Sequence, residues 1–299
     1  MKNRVLLTGA TGLIGRPTIT ALADLGYEVI AISRSDSVDG AHHTIQADVL
    51  DPRSRRAAVK QAGASHLLHL AWHDAPQGRW SAPENLDWAA ATLQLVREFS
   101  DVGGIRAVCV GSCAEYDWSQ EVLSETTQLK PASLYGKAKA ATGTLLCGAA
   151  GDLGLSLAWA RIFFCYGPGE PKGRLLGDLL AGLSKGETVP CTDGLQERDF
   201  LHTADVARAL AAILSSELTG PVNVASGNAT PVRRLIEEVA RQMGCQKMVR
   251  FGAIERAVDD PNLIVADVTR LSDIGFETVF NIETGVADCI AKMNAGPPA

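Results

Sequence analysis

The amino-acid sequence predicts an α/β fold, a doubly wound parallel sheet with helices on both faces, followed by a smaller C-terminal lobe. Three observations predict it. Short apolar runs alternate with helix-period segments through the first half of the chain, the first run leads through a glycine-rich turn into a helix, and the pattern changes after Tyr166.

The first run, 4–7, is short and apolar enough for a buried parallel strand. A helical pattern then opens at Gly15, continues through Ile19, Leu22 and Leu25, and closes at Gly26. Further strands are expected over 27–33, 44–47, 66–71, 106–111 and 155–162. Residues 167–173 read as a loop, followed by a helix over 175–183. Another helix runs through Val206 and Leu210, with Thr203 or Asp205 as its cap. Neither internal repeats nor low-complexity tracts interrupt this order.

Composition narrows the function classes. A chain of 299 residues with 46% hydrophobic residues can bury a large core. No apolar run reaches membrane-spanning length, and the opening Met1-Lys2-Asn3-Arg4 runs straight into the first strand, so a cytoplasmic protein without a signal peptide is expected. Cys109, Cys113, Cys147, Cys165, Cys191, Cys245 and Cys289 form no C-x-x-C pair, and His42, His43, His66 and His73 have no ligand spacing, so reduced thiols and no metal are expected. The 28 basic and 34 acidic residues give a net charge of −6, which offers no footprint for nucleic acid.

Two groups of residues carry chemistry. The turn Thr8-Gly9-Ala10-Thr11-Gly12-Leu13-Ile14-Gly15 stands between a strand and a helix. There glycine lets the main chain approach phosphate, and the helix N-terminus supplies amide donors and a positive dipole end. Its spacing, Gly9-x-x-Gly12-x-x-Gly15, departs from the G-x-G-x-x-G dinucleotide fingerprint. The second group is Ser112, at the end of a strand, with Tyr135 and Lys139 one helical turn apart. Residues four apart share a helix face, and an ammonium beside a phenol is expected to lower its pKa from about 10 toward working pH. Ser112 can then bond the substrate oxygen to which Tyr135 gives or from which it takes a proton. Ligands on such sheets lie beyond the strand carboxyl ends, where Gly9, Ala71, Ser112 and Ile162 belong.

These residues, together with His69-Leu70-Ala71, Tyr135-Gly136-Lys137-Ala138-Lys139, the run from Arg161 to Pro168, Arg198-Asp199-Phe200-Leu201-His202 with Asp205, and the run from Pro221 to Gly227, resemble the extended short-chain dehydrogenase/reductase family, in its NAD-dependent epimerase/dehydratase branch. The resemblance covers nearly the whole chain. It implies a Rossmann-type NAD(P)-binding domain over 1–165, joined by a strand near 221–226, and a substrate-binding lobe mainly over 166–299. It assigns the dinucleotide to Gly9, Thr11, Gly12, Leu13, Ile14, Gly15, Ser33, Arg34, Ser35, Asp48, Val49, Leu70, Ala71, Trp72, Tyr135, Lys139 and Ile162. It assigns Ser112, Tyr135 and Lys139 to catalysis, with Tyr135 as the proton donor, Ser112 orienting a carbonyl and Lys139 on the nicotinamide ribose. It places substrate against Ser112, Cys113, Phe164, Arg174, Arg198 and Arg256, Arg198 gripping a nucleotide diphosphate. Asp199 and His202 are expected to bond backbone. Asp48 contacts the adenine edge or, alternatively, caps the helix before Pro52.

Departures from the family pattern refine this. Cys113-Ala114 stand where sugar 4,6-dehydratases carry an Asp-Glu pair, which disfavours dehydration; Phe164 stands where many relatives carry an asparagine that contacts phosphate, a loss for which Lys172 and Arg174 can compensate. An arginine after the second strand suits the 2′-phosphate of NADP, whereas a carboxylate suits NAD; Ser33-Arg34-Ser35 therefore favours NADP(H), although Asp36 leaves NAD(H) open. The expected activity is NADPH-dependent reduction of a keto group on a nucleotide-activated sugar, a 4-keto-6-deoxy hexose. The runner-up is an NAD-retaining nucleotide-sugar epimerase, and a third reading is a non-catalytic dinucleotide-binding sensor. Relatives often dimerise through two helices per subunit, so a homodimer is a further expectation.

Overall fold

The computed structural model describes residues 3–73 and 78–295; Met1 and Lys2 of the opening segment and residues 296–299 of the expected lobe lie outside it. In chain order the strands are β1 (Arg4–Thr8), β2 (Glu28–Ser33), β3 (His43–Gln46), β4 (His66–His69), β5 (Arg106–Ser112), β6 (Val122–Leu123), β7 (Ser156–Ile162), β8 (Phe164–Tyr166), β9 (Val189–Pro190), β10 (Glu197–His202), β11 (Gly220–Val224), β12 (Ala229–Pro231), β13 (Val249–Arg250) and β14 (Leu263–Ala266). The helices are α1 (Gly15–Asp24), α2 (Pro52–Ala62), α3 (Glu84–Asp101), α4 (Leu134–Ala149), α5 (Leu175–Ser184), α6 (Thr203–Ser215), α7 (Val232–Gln242), α8 (Thr269–Ser272) and α9 (Ile282–Ala295).

Seven strands form one parallel Rossmann-like sheet in the order β11-β7-β5-β4-β1-β2-β3. The order reverses between β1 and β4, so the crevice for a ligand opens at their carboxyl ends. Alternate residues of the strands feed two cores. Val5, Leu7, Val29 and Ala31 pack with α1 and α6 on one face; Leu6, Ile30, Leu67 and Trp159 pack with α2, α3 and α4 on the other. Tyr27, Ala47, Leu70, Ala71, Leu155 and Ala225 fall just outside the strands expected to include them.

A second sheet, in the order β12-β10-β14-β6 with β8 beside β10, carries the lobe. Its β6 comes from the first half of the chain, while α6 and β11 from the second half pack on the main sheet. A third core joins α5, α7 and α9 through Leu176, Leu179, Leu235, Val239 and Val286.

Two caps differ from expectation. Asp51, not Asp48, caps α2 by accepting from Ser54 N at 2.8 Å, while Asp48 turns back on Leu50 N. His202, not Thr203 or Asp205, caps α6: its Nδ1 accepts from Ala204 N, and Asp205 instead accepts from the amides of Val279 and Phe280. An imidazole nitrogen does the work of a hydroxyl here because His202 is buried and its ring stacks on Phe280.

Candidate active site

Along one side of the switch point runs a groove of about 420 Å³. Gly9 begins it with φ +72°, a left-handed conformation that glycine adopts without strain, and a Cβ there would lie 2.7 Å from Ala71 N. Gly15 would drive a Cβ into the Gly9 carbonyl, so the turn from β1 to α1 has no room for a side chain at Gly15 or, against the end of β4, at Gly9. Buried Thr8 and His69 hold that junction: Thr8 Oγ1 lies 2.6 Å from His69 Nδ1 and accepts from Ala71 N, and His69 Nε2 lies 2.9 Å from Thr92 Oγ1. Burial pushes His69 down to about 3, so it stays neutral.

The groove is lined by Gly9, Thr11, Gly12, Leu13, Ile14 and Gly15, then by Leu70, Ala71 and Trp72, and at its far end by Ser33, Arg34, Ser35, Asp48 and Val49. Tyr135 and Lys139 close its other end. Ile162 does not line it. That residue ends β7 and faces the neighbouring cavity instead, because β5 stands between it and β4. Exposed Arg34 is flanked by Ser33 and Ser35, and Ser37 Oγ donates to Asp36 at 3.4 Å. The glycine cradle, the unburdened α1 N-terminus and a cationic far end fit a dinucleotide in donor type and shape.

Tyr135 also lines a second cavity of about 630 Å³, together with Ser112, Cys113, Phe164, Arg174 and Arg198. Tyr135 is the second residue of α4, whose cap Ser133 accepts from Gly136 N at 3.1 Å. Gly136 meets Ala114 and Gly143 meets the Trp159 ring, so α4 lies close against the end of β5. Ser112 starts a short turn in which its Oγ accepts from Ala114 N, while Glu115 reaches back to Ser112 N at 2.8 Å. Glu115, fully buried, also takes Arg161 Nε at 2.7 Å and Trp159 Nε1 at 3.0 Å.

The electrostatics of Tyr135 run opposite to the sequence expectation. Burial pushes its phenol up to about 12; a hydrogen bond with Ser112 and the charge of Arg79 draw it back, while Cys113 and Glu115 raise it. Lys139 is not among these groups; its Nζ donates to Val110 O at 2.7 Å and sits 3.7 Å from the centre of the Trp72 ring. Burial brings Lys139 down to about 7, and Glu115 holds it partly up. Tyr135 is thus held as a neutral acid. Trp72 is fixed in turn by its Nε1 bond to Asn85 at 2.8 Å, and buried Asn85 donates to Arg79 O and Ala82 O. Trp80 meets the Tyr135 ring edge-on at 5.5 Å. Cys113 is buried, which raises its thiol to about 12 and leaves it a wall rather than a nucleophile.

On the lobe side, Arg198 is nearly buried, with one guanidinium nitrogen on the carbonyls of Glu197 and Pro261 and the other on Asp260. Phe164 lies beneath it, 5.4 Å from the guanidinium carbon. Arg256 does not reach this cavity: it binds Asp260 at 3.2 Å and lines an adjoining chamber with Trp80, Trp118 and Lys130. The two arginines meet on Asp260, a carboxylate between the two chambers. Arg174 donates to Cys165 O and pairs with Glu170 at 3.5 Å. Asp199 accepts from Ser226 N, Gly227 N and Ala266 N.

Sequence reasoning overlooked Glu115, Asp260 and Arg79. Only Glu115 carries a readable signal, since Ser112-x-x-Glu115 has the spacing of a capping box. Among the described residues no group of His, Cys, Asp or Glu side chains could hold a metal ion, and no helix is long and apolar enough to cross a membrane.

The model of the NAD dependent epimerase/dehydratase family matches residues 5–225. Among curated proteins, a 3-diazoavenalumate denitrifying reductase of Streptomyces sp is 28% identical over 81% of this chain and 82% of its own length. A dTDP-4-dehydro-6-deoxy-D-allose reductase, also of Streptomyces sp, is 26% identical over 90% of each. Among solved structures, MoeE5 in complex with UDP-glucose and NAD is 30% identical, covers 98% of this chain and 99% of its own, and superposes with a TM-score of 0.85.

Proposed function

Because the chain belongs to the NAD dependent epimerase/dehydratase family, we propose that it reduces a keto group of a nucleotide-activated sugar, a 4-keto-6-deoxy hexose, at the expense of NADPH. One observation carries the choice of reduction: Arg34, between two serines, lines the far end of the dinucleotide groove, where a 2′-phosphate would lie. NADPH serves net reduction. The reductase among the curated relatives that acts on a dTDP-4-dehydro-6-deoxy sugar supports the substrate class.

Bound in the groove, the dinucleotide supplies hydride to the carbonyl carbon. The glycine turn would hold its diphosphate, Ser33, Arg34 and Ser35 its 2′-phosphate, and Lys139 its nicotinamide ribose. Ser112 orients the carbonyl oxygen, and Tyr135, which lines both groove and cavity, hands its phenolic proton to that oxygen as charge develops there. A phenol kept protonated by burial is suited to that donation. Arg198, with Arg174 near it, meets the substrate diphosphate once that anion competes with Asp260 for the guanidinium.

An epimerase that keeps NAD is the second reading, favoured by the neighbour crystallised with UDP-glucose and NAD. Mass spectrometry separates the two. Incubated with a panel of nucleotide 4-keto-6-deoxy hexoses and 4-deuterated NADPH, the protein is expected to place one deuterium on the sugar per turnover. A product of unchanged mass, free of deuterium and formed without added cofactor, overturns the reductase reading in favour of the epimerase.

A further inference from the structure

Among the described residues two buried side-chain polar atoms have no hydrogen-bond partner, Glu170 Oε2 and Gln196 Oε1. Both are acceptors, and both residues line the cavity that contains Ser112 and Tyr135. Folded chains pair nearly all such atoms, so two orphans lining one cavity point to a ligand that brings donors.

Gln196 stands one position before β10 and is only 9% exposed. Alternate side chains of an extended segment share a face, and Gln196, Arg198 and Phe200 all line the cavity. They form a row of amide, guanidinium and ring, each about 6.6 Å from the next. The Phe200 end of the row is in register with Phe164, just past Ile162, which is itself in register with Ser112. The row therefore leads away from the reacting groups, and Gln196 lies at its far end, roughly 13 Å along the strand from Phe200. Val189, Pro190, Val232, Leu235 and Ile236 supply apolar walls to the same cavity.

We infer that Gln196 reads the hydrogen-bonding edge of the substrate's nucleobase, its Oε1 accepting a ring N–H and its Nε2 donating to the adjacent carbonyl, as the imide edge of uracil or thymine offers. The inference rests on the nucleotide-sugar reading above and names the residue that recognises the nucleotide. The order of the row matches such a ligand: base at Gln196, diphosphate at Arg198, sugar by Phe164, Ser112 and Tyr135.

Calorimetric titration of the full chain with UDP, CDP and inorganic pyrophosphate tests it, in the wild type, Gln196→Leu and Gln196→Glu, with NADPH affinity as the check on folding. Gln196→Leu is expected to weaken UDP by roughly ten- to a hundredfold, the effect of stranding a buried N–H, and to leave pyrophosphate and NADPH unchanged. Gln196→Glu keeps an acceptor for the ring N–H but sets an oxygen against the adjacent carbonyl, so it too should weaken UDP while leaving NADPH unchanged. Unchanged UDP binding in Gln196→Leu or in Gln196→Glu, or equal losses of UDP and pyrophosphate in Gln196→Leu, overturns the inference while the nucleotide-sugar reading stands. A wild type that binds neither UDP nor CDP overturns the nucleotide-sugar reading, and this inference with it.

Discussion

The groove and the cavity that meet at Tyr135 are built from different materials. The groove is walled by main chain and small side chains, with Gly9 set against Ala71 and Gly15 against Gly9. The cavity wall carries charged side chains held in pairs, Arg198 with Asp260 and Glu170 with Arg174, and behind it lies the buried pair of Glu115 with Arg161. A wall of backbone has no room for an added atom, whereas a wall of paired charges cannot lose one partner without stranding the other. The groove should therefore be damaged by additions and the cavity by deletions.

Tyr135 lies on the boundary, and its loss should have the largest effect. Tyr135→Phe keeps the ring against Trp80 and removes only the hydroxyl, so turnover should fall by about 10²–10⁴ while dinucleotide affinity stays near that of the wild type. Turnover with an authentic keto sugar that survives this change rules Tyr135 out as the proton donor.

Glu115→Ala tests the cavity side. It leaves Arg161 and Trp159 Nε1 buried beside a void, at a cost of about 3–5 kcal/mol of folding stability in urea titration. Gly9→Ala tests the groove side. A side chain at φ +72° costs about 1–3 kcal/mol, and the clash with Ala71 N should fall mainly on dinucleotide affinity. If Glu115→Ala proves the milder of the two in urea, or Gly9→Ala binds dinucleotide normally, the contrast between the walls fails.

The two walls also differ in how far they can be read from sequence. The glycine turn is local: strand, turn and helix are contiguous, and glycine is written where the backbone needs it, so the sheet and the groove lining follow from the chain. The pairing of Arg198 with Asp260 joins residues 62 positions apart, and no spacing rule connects them. The same holds for Lys139, which one turn of helix sets on the face of Tyr135 but which the fold gives to Val110 O and Trp72. Helix periodicity shows which side chains share a face; it cannot show what lies opposite that face. Glu115 is the exception on the cavity side, legible through its capping-box spacing with Ser112.

Lys139 gives the comparison a pH signature. Its ammonium titrates at about 7 in the folded chain against 10.5 when unburied, so between these values the unfolded chain binds more protons and stability rises with pH. The Cys109 and Cys113 thiols, raised from 9.0 to about 12, oppose this above pH 9. Dinucleotide-free protein should therefore gain stability from pH 7 to 9, and Lys139→Met should remove that slope. A wild type whose stability is flat or falls across this window contradicts the desolvated ammonium.

The smallest effect is expected at the far end of the groove, where its wall carries an exposed charge. Arg34 is exposed, so its bond to a 2′-phosphate is screened by water and should contribute about 1.5 kcal/mol, the low end for a charge-assisted bond. Arg34→Ala should thus weaken NADPH roughly tenfold and leave NADH almost untouched, because Gly9, Gly12 and the α1 N-terminus, which both cofactors would share, are unaltered. The difference should shrink as salt is raised from 0.01 M toward 1 M, where screening shortens the reach of a surface charge to about 3 Å. Equal losses for the two dinucleotides would make Arg34 a contributor to the general field of the groove, remove the observation that favours NADPH, and leave the NAD-retaining epimerase as the better reading of the same site.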